Sequence, residues 1–251
     1  MAKSRFYDSR RKLMPSQDKI IEKARGILSK NHKMTEEYIK DNFDKLILEV
    51  EKIGYKVYLE EQEIANVELL KRTLTEKYSR LSIKGIEGLQ ILIEKNFALL
   101  DEFFKSLGQS RMSRAGKTFE DNLKWLFKKL NYPFEERAVI NGRPDFLIPS
   151  VEEYKKNPMS CIIFTAKRTL RERWRQIVTE GTRGLGFFLA TIDDTKSYDE
   201  IQEMLKHRIY MVVPEPLKKN VVNYKHAPNI ISFRVFFRDH LDPAMKRWGK
   251  L

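Results

Sequence analysis

The runs GFFLATI (186–192) and IYMVVP (209–214) contain no charged residue and do not alternate apolar with polar positions. A strand with one face in water alternates, whereas a strand apolar on both sides is covered on both faces. YDEIQEMLKH lies between the two runs and has helical spacing of its apolar residues. A strand, a crossover helix and a second strand, both strands central, demand an α/β architecture with helices on the sheet.

The neighbouring segments extend that sheet. ERAVI (136–140), DFLIP (145–149) and CIIFTAK (161–167) read as shorter strands. Asn141-Gly142 between the first two is a tight-hairpin signal. A helix is expected over about 170–180, and NIISFRVFFRDHL is expected to close the chain as a helix. The N-terminal part is helical throughout. PSQDKIIEKARGILSK offers Ser16 as N-cap, with Ile20, Ala24 and Ile27/Leu28 on one face. A second helix starts at Thr35, buries Ile39, Phe43, Leu46/Ile47 and Val50, and is expected to end at Gly54. A third is expected to end at Gly108. A fourth, from Ser113, carries the stripe Phe119, Leu123, Leu126/Phe127, Leu130. The organisation expected is a helical N-terminal region over 1–108, either separate or packed on the core as part of one domain, and an α/β core over 109–251. The core has a mixed central sheet flanked by helices.

Composition narrows the function. Lys and Arg number 48 against 35 Asp and Glu, a net charge of +13. A balance this basic suits a polyanionic partner. No apolar run approaches a membrane span, and the basic start has no apolar segment behind it, so neither a membrane partner nor a signal peptide is expected. The single cysteine, Cys161, excludes an internal disulfide and fits a reducing cytoplasm.

Two of the short strands carry chemistry. Pro144-Asp145 opens one, and Lys167 ends the next. Phosphodiester hydrolysis needs an activated water, a shielded leaving oxygen and a phosphate held in line. Mg²⁺ bound by carboxylates supplies the first two. A carboxylate on one strand and an acid-x-Lys pair on the next is the PD…(D/E)xK pattern. Residues two apart on a strand share a face, so Thr165 stands where the usual acid would be. The missing acid has two candidates. Glu180 is on the helix after Lys167, and Glu120 is on the earlier helix beside Phe119. Either residue alone also reads as a solvent-facing glutamate on an amphipathic helix. Behind Lys167 comes RTLRERWRQ. Arg bonds guanine O6 and N7, and Glu accepts from cytosine N4, so Arg171, Glu172 and Arg173 suit a C:G pair.

SRAGKTFE, RPDFLIPS…EYKKN, FTAK…RERWRQI and IYMVVPEPLKK together resemble the catalytic domain of the EcoRII family of restriction endonucleases, with the related SsoII and PspGI enzymes. The likeness runs over about residues 105–220. It implies a PD-(D/E)xK restriction-endonuclease-like core in which the second acid is displaced to the following helix. Asp145 and Glu180 would then be ligands of Mg²⁺, Lys167 the catalytic lysine and Glu120 an additional acid. Arg171, Glu172 and Arg173 would read bases, with Gln109 contacting the C:G pairs from the minor groove. Some relatives flip bases out of the duplex; Tyr55 and Tyr58 are the aromatic candidates for such a pocket here. Ordinary packing of both tyrosines is the favoured alternative. The resemblance further implies a stand-alone homodimer acting on double-stranded DNA at a palindromic CC…GG site. Its setting would be the prokaryotic cytoplasm, and its genetic counterpart a cognate DNA methyltransferase. The first 33 residues hold ten Lys and Arg against three Asp and Glu. They could form a basic arm, with Phe6 and Tyr7, along the backbone or in a minor groove.

Two other readings share the fold. A non-catalytic sequence-specific DNA-binding protein would be expected to lose one of Asp145, Lys167 and Glu180. A structure-selective repair nuclease would keep the metal site without needing the Arg-Glu-Arg reader.

Overall fold

The computed structural model describes residues 5–78, 85–140, 144–170 and 186–249. Four helices come first: α1 (Arg5–Leu13), α2 (Gln17–Asn31), α3 (Glu36–Tyr78) and α4 (Gly85–Lys129), the last leaving helical geometry at Asn96. A six-stranded sheet follows, with its strands side by side in chain order. They are β1 (Glu135–Glu136), β2 (Phe146–Ile148), β3 (Ile162–Ala166), β4 (Gly186–Ala190), β5 (Ile209–Val213) and β6 (Ile230–Ser232). β1, β2 and β3 pair antiparallel, and β3 through β6 run parallel. The short helix α5 (Val151–Lys156) links β2 towards β3, and α6 (Tyr198–Lys206) crosses from β4 to β5. Ser197 and Glu200 close a reciprocal cap at the start of α6.

Both faces of the sheet are covered, as the unbroken apolar runs require. On one face Phe146, Phe164 and Phe188 meet Phe127 of α4 and Phe236 of the C-terminal helix. On the other, Leu147, Ile163, Leu189 and Met211 pack with Ile201 and Met204 of α6. Asp44 ties the parts together by accepting from the amides of Glu215, Phe233 and Arg234 at 3.0–3.2 Å.

The chain forms two compact units. One comprises residues 1–27 with 52–115, and the other 28–51 with 116–251. The helical region drawn at 1–108 therefore contributes to both. Phe43 explains why 28–51 belongs with the sheet: its ring lies 4.9 Å from those of Phe233 and Phe237.

Four local expectations change. Helix α3 continues through Gly54, and α4 through Gly108. Glycine stops a helix by turning left-handed, and among the described glycines only Gly85 and Gly249 do so. The strand expected at 136–140 is confined to Glu135–Glu136, because Arg137 takes φ 50° and leaves the strand. The Asn141-Gly142 turn lies outside the described residues. The closing segment NIISFRVFFRDHL begins as β6; Ser232 then caps the helix from Phe233 by accepting from the Val235 amide. The basic N-terminus is helical from Arg5, and Phe6 is buried edge-on against Phe103, so Phe6 is not available as a probe of DNA. Among the described residues no helix is long and apolar enough to cross a membrane.

Candidate active site

The antiparallel register of β2 and β3 does most of the assembly. Phe146 faces Phe164, so Asp145, just before β2, comes level with Thr165 near the carboxyl end of β3. The Asp145 amide lies 3.5 Å from Thr165 Oγ1. Lys167 follows β3 directly, and its amide extends the parallel ladder by donating to the Ala190 carbonyl. Asp145 Oδ2 accepts from Lys167 Nζ and from the Ala166 amide, both at 2.8 Å. Its Oδ1 has no hydrogen-bond partner among the described residues. The Asp145 side chain is 12% exposed and that of Lys167 34%, so the pair opens to solvent at the lysine.

Glu120 reaches the same place from α4. The stripe Phe119, Leu123, Leu126, Phe127 is fully buried and pins that helix to the core, which leaves Glu120 half-buried at its edge. Burial pushes the Glu120 carboxyl above the ordinary glutamate range, and the Asp145 charge pushes it further; Lys167 and Arg137 pull it back. Arg137 Nη2 lies 3.7 Å from Glu120 Oε1.

Raised pKa has a consequence of definite sign. Folding disfavours the Glu120 anion, so the stability this group contributes is full below its unfolded pKa and is lost as pH rises through the folded value. Glu120→Gln removes the titration. It is expected to melt above wild type at neutral pH, with the gain vanishing near pH 4. Melting curves across that range check it, and a lower melting point than wild type at both pH values would refute it.

Three of the residues singled out in the sequence thus meet: Asp145, Lys167 and Glu120. Thr165 is buried beside them and bonded, as a hydroxyl, to the backbone. Glu180, Arg171, Glu172 and Arg173 lie outside the described residues. Gln109 is on α4, with its side chain outside them. Tyr55 is exposed on α3, while Tyr58 is buried, its hydroxyl accepting from Gln62 at 2.6 Å and 3.1 Å from Ser110 Oγ.

Two features were not read from the sequence. Arg168, the first residue of RTLRERWRQ, is held by a buried acid: its Nη1 donates to Glu51 Oε2 at 2.6 Å. Asn122 donates to Glu51 Oε1 at 2.8 Å, and Glu51 is 4% exposed. Burial raises the Glu51 carboxyl, and Asn122 and Arg168 offset that. The signal was present, since Glu51 follows Val50 and stands four residues after Ile47 on a buried stripe. The second feature is Arg137, which no pattern marked.

A family model described as EcoRII C terminal matches residues 76–237. Among curated proteins, the type II restriction enzyme EcoRII of Escherichia coli is 33% identical over 161 residues, covering 61% of this chain and 40% of the relative. The type II restriction enzyme SsoII of Shigella sonnei is 30% identical over 158 residues, covering 57% and 50%. The chain thus matches half or less of the length of these relatives. Among solved structures, metal-depleted Ecl18kI in complex with uncleaved DNA superposes with a TM-score of 0.79 at 24% identity, over 98% of this chain and 84% of that one. A PspGI–substrate DNA complex gives 0.64 at 22% identity, over 94% of each. These likenesses establish the restriction-endonuclease fold.

Proposed function

The chain belongs to the EcoRII C-terminal family, and we propose that it is a type II restriction endonuclease, making divalent-cation-dependent double-strand cuts in DNA at a palindromic CC…GG site. The observation that carries this reading is the convergence of Asp145, Lys167 and Glu120 at the carboxyl end of β3. Open α/β sheets bind their ligands outside that end of the strands.

The donor set fits Mg²⁺. Asp145 and Glu120 offer hard carboxylate oxygens, and Glu180 supplies a third in this reading; Mg²⁺ takes one or two carboxylates along with substrate phosphate. When bound, such a cation makes an attached water more acidic and shields charge on the phosphate. The chain's own residues do the positioning. Asp145 uses Oδ2 to hold the Lys167 ammonium and the Ala166 amide, which leaves Oδ1 for a cation. Lys167 is fixed at its base by the β3–β4 ladder and directs its ammonium to the opening, where it orients a water or meets a phosphate oxygen. Arg171, Glu172 and Arg173 stand four to six residues after Lys167 in the sequence, so in this reading base reading and cleavage are joined by a few residues. Incubating plasmid DNA with the protein and Mg²⁺ tests the activity: discrete fragments that vanish with EDTA support it, and intact plasmid refutes it.

Arg173→Ala should weaken binding to a CC…GG duplex by about ten- to a hundred-fold, since a bidentate base contact is worth roughly 1–3 kcal/mol of discrimination. Binding to a scrambled duplex should hardly change. Salt titrations on both duplexes separate the cases. Equal weakening would make RERWR a phosphate clamp.

A palindromic site calls for a two-fold protein, and the reading includes a homodimer. Support comes from α4, where Ile86, Leu89, Ile93 and Phe97 are 77%, 59%, 44% and 70% exposed. Monomeric proteins rarely leave so apolar a stripe uncovered. Phe97→Lys should shift the chain towards monomer in sedimentation. An unchanged dimer would place the interface elsewhere.

A further inference from the structure

The catalytic trio leaves Arg137 unexplained. It follows β1 with φ 50°, a left-handed conformation that costs any residue with a Cβ. Two other described non-glycine residues share it, Asn131 with φ 53° and Arg208 with φ 56°. Both follow the last turn of a helix, α4 and α6, where a left-handed residue is the ordinary closing device. Arg137 closes no helix. Its amide donates to the Asp145 carbonyl at 3.2 Å, so the strained residue is tied to the one that opens β2. Strain held in place beside a reactive group points from the backbone to a function.

The side chain agrees. Arg137 reaches only 3.7 Å from Glu120 and stays 70% exposed. An ion pair so loose and so wet contributes little and does not offset the backbone strain. The acid next to it in the chain, Glu136, is already taken by Lys124 and Lys128 of α4. Arg137 thus presents a guanidinium beside two carboxylates and an ammonium. A planar guanidinium fork matches two phosphate oxygens, which a lysine cannot do.

We propose, on the basis of the endonuclease reading above, that Arg137 is a phosphate-binding residue that grips the phosphodiester at the cleavage position. In the free protein it rests on Glu120. On DNA the guanidinium turns to the phosphate, which fixes the backbone in line with Lys167 and frees the Glu120 carboxylate.

The test pairs protein and DNA changes. The cut position is first mapped with wild-type protein and Mg²⁺. A duplex is then made with an uncharged methylphosphonate at that position, and affinities are measured without metal. Wild type is expected to lose about ten-fold on the modified duplex. Arg137→Ala should lose about ten-fold on the unmodified duplex, yet lose less than about three-fold more on the modified one, because the two changes remove one contact. Arg208→Ala, the same loss of charge on the same backbone conformation, should respond to the modification as wild type does. If Arg137→Ala and the methylphosphonate weaken binding additively, Arg137 does not hold that phosphate. If wild type cuts no DNA, the endonuclease reading itself fails.

Discussion

Asp145→Asn and Lys167→Ala are expected to cleave DNA at below roughly one per cent of the wild-type rate, since a positioned proton-transfer or charge-stabilising group is worth about 10²–10⁴-fold. Asn is the informative change at 145. It keeps an oxygen for the Ala166 amide, so the β2–β3 junction stays intact, and it removes the charge that holds Lys167. Affinity for a CC…GG duplex without metal should fall less than about three-fold, because neither residue faces the bases in this account. The double variant should be little worse than either single one, as expected of groups that act together. Single-turnover cleavage and metal-free binding, measured side by side, check both halves. Cutting at wild-type rates by either variant removes that residue from the reaction.

Glu51→Ala should produce the second largest effect, first seen as lost stability. It removes the carboxylate that Arg168 pairs with and one hydrogen-bond acceptor of Asn122, which is 1% exposed. Removing one member of a buried pair costs about 3–5 kcal/mol; Arg168 retains 30% exposure, so about 2–3 kcal/mol is expected here. In a protein of this size that lowers the melting temperature by roughly 5–10 °C. Glu51→Leu with Arg168→Met separates stability from positioning. Replacing a whole buried pair with apolar groups is close to neutral, so the double variant should recover most of the melting temperature. Arg168 adjoins Lys167, so cleavage should stay impaired. Full recovery of both would mean that the pair serves the fold alone.

What the sequence discloses here follows from how local each signal is. The runs at 186–192 and 209–214 are central strands because burial on both faces excludes charge, and that is visible in any single segment. Asp145 and Lys167 were legible as a pair because strand order and the period of two suffice to bring them together. Helix ends were harder. Gly54 and Gly108 look like stops, yet a glycine that keeps helical torsions stops nothing, and only tertiary packing decides that. Asn131, which does turn left-handed behind α4, carries no more obvious mark. Ser232 was hidden inside an apolar stretch that reads as one helix, although it is the cap that divides strand from helix. Glu51 and Arg137 were missed for a related reason. Their partners, Arg168 and Glu120, are remote along the chain in one case and reached through a backbone turn in the other.

The most direct test of the central claim is to digest a complex DNA with the purified protein and Mg²⁺ and to sequence every end produced. The account expects ends that share one palindromic CC…GG site, and no ends at all from Asp145→Asn under the same conditions. Ends without a common sequence, cuts confined to branched junctions, or equal cutting by Asp145→Asn would contradict it.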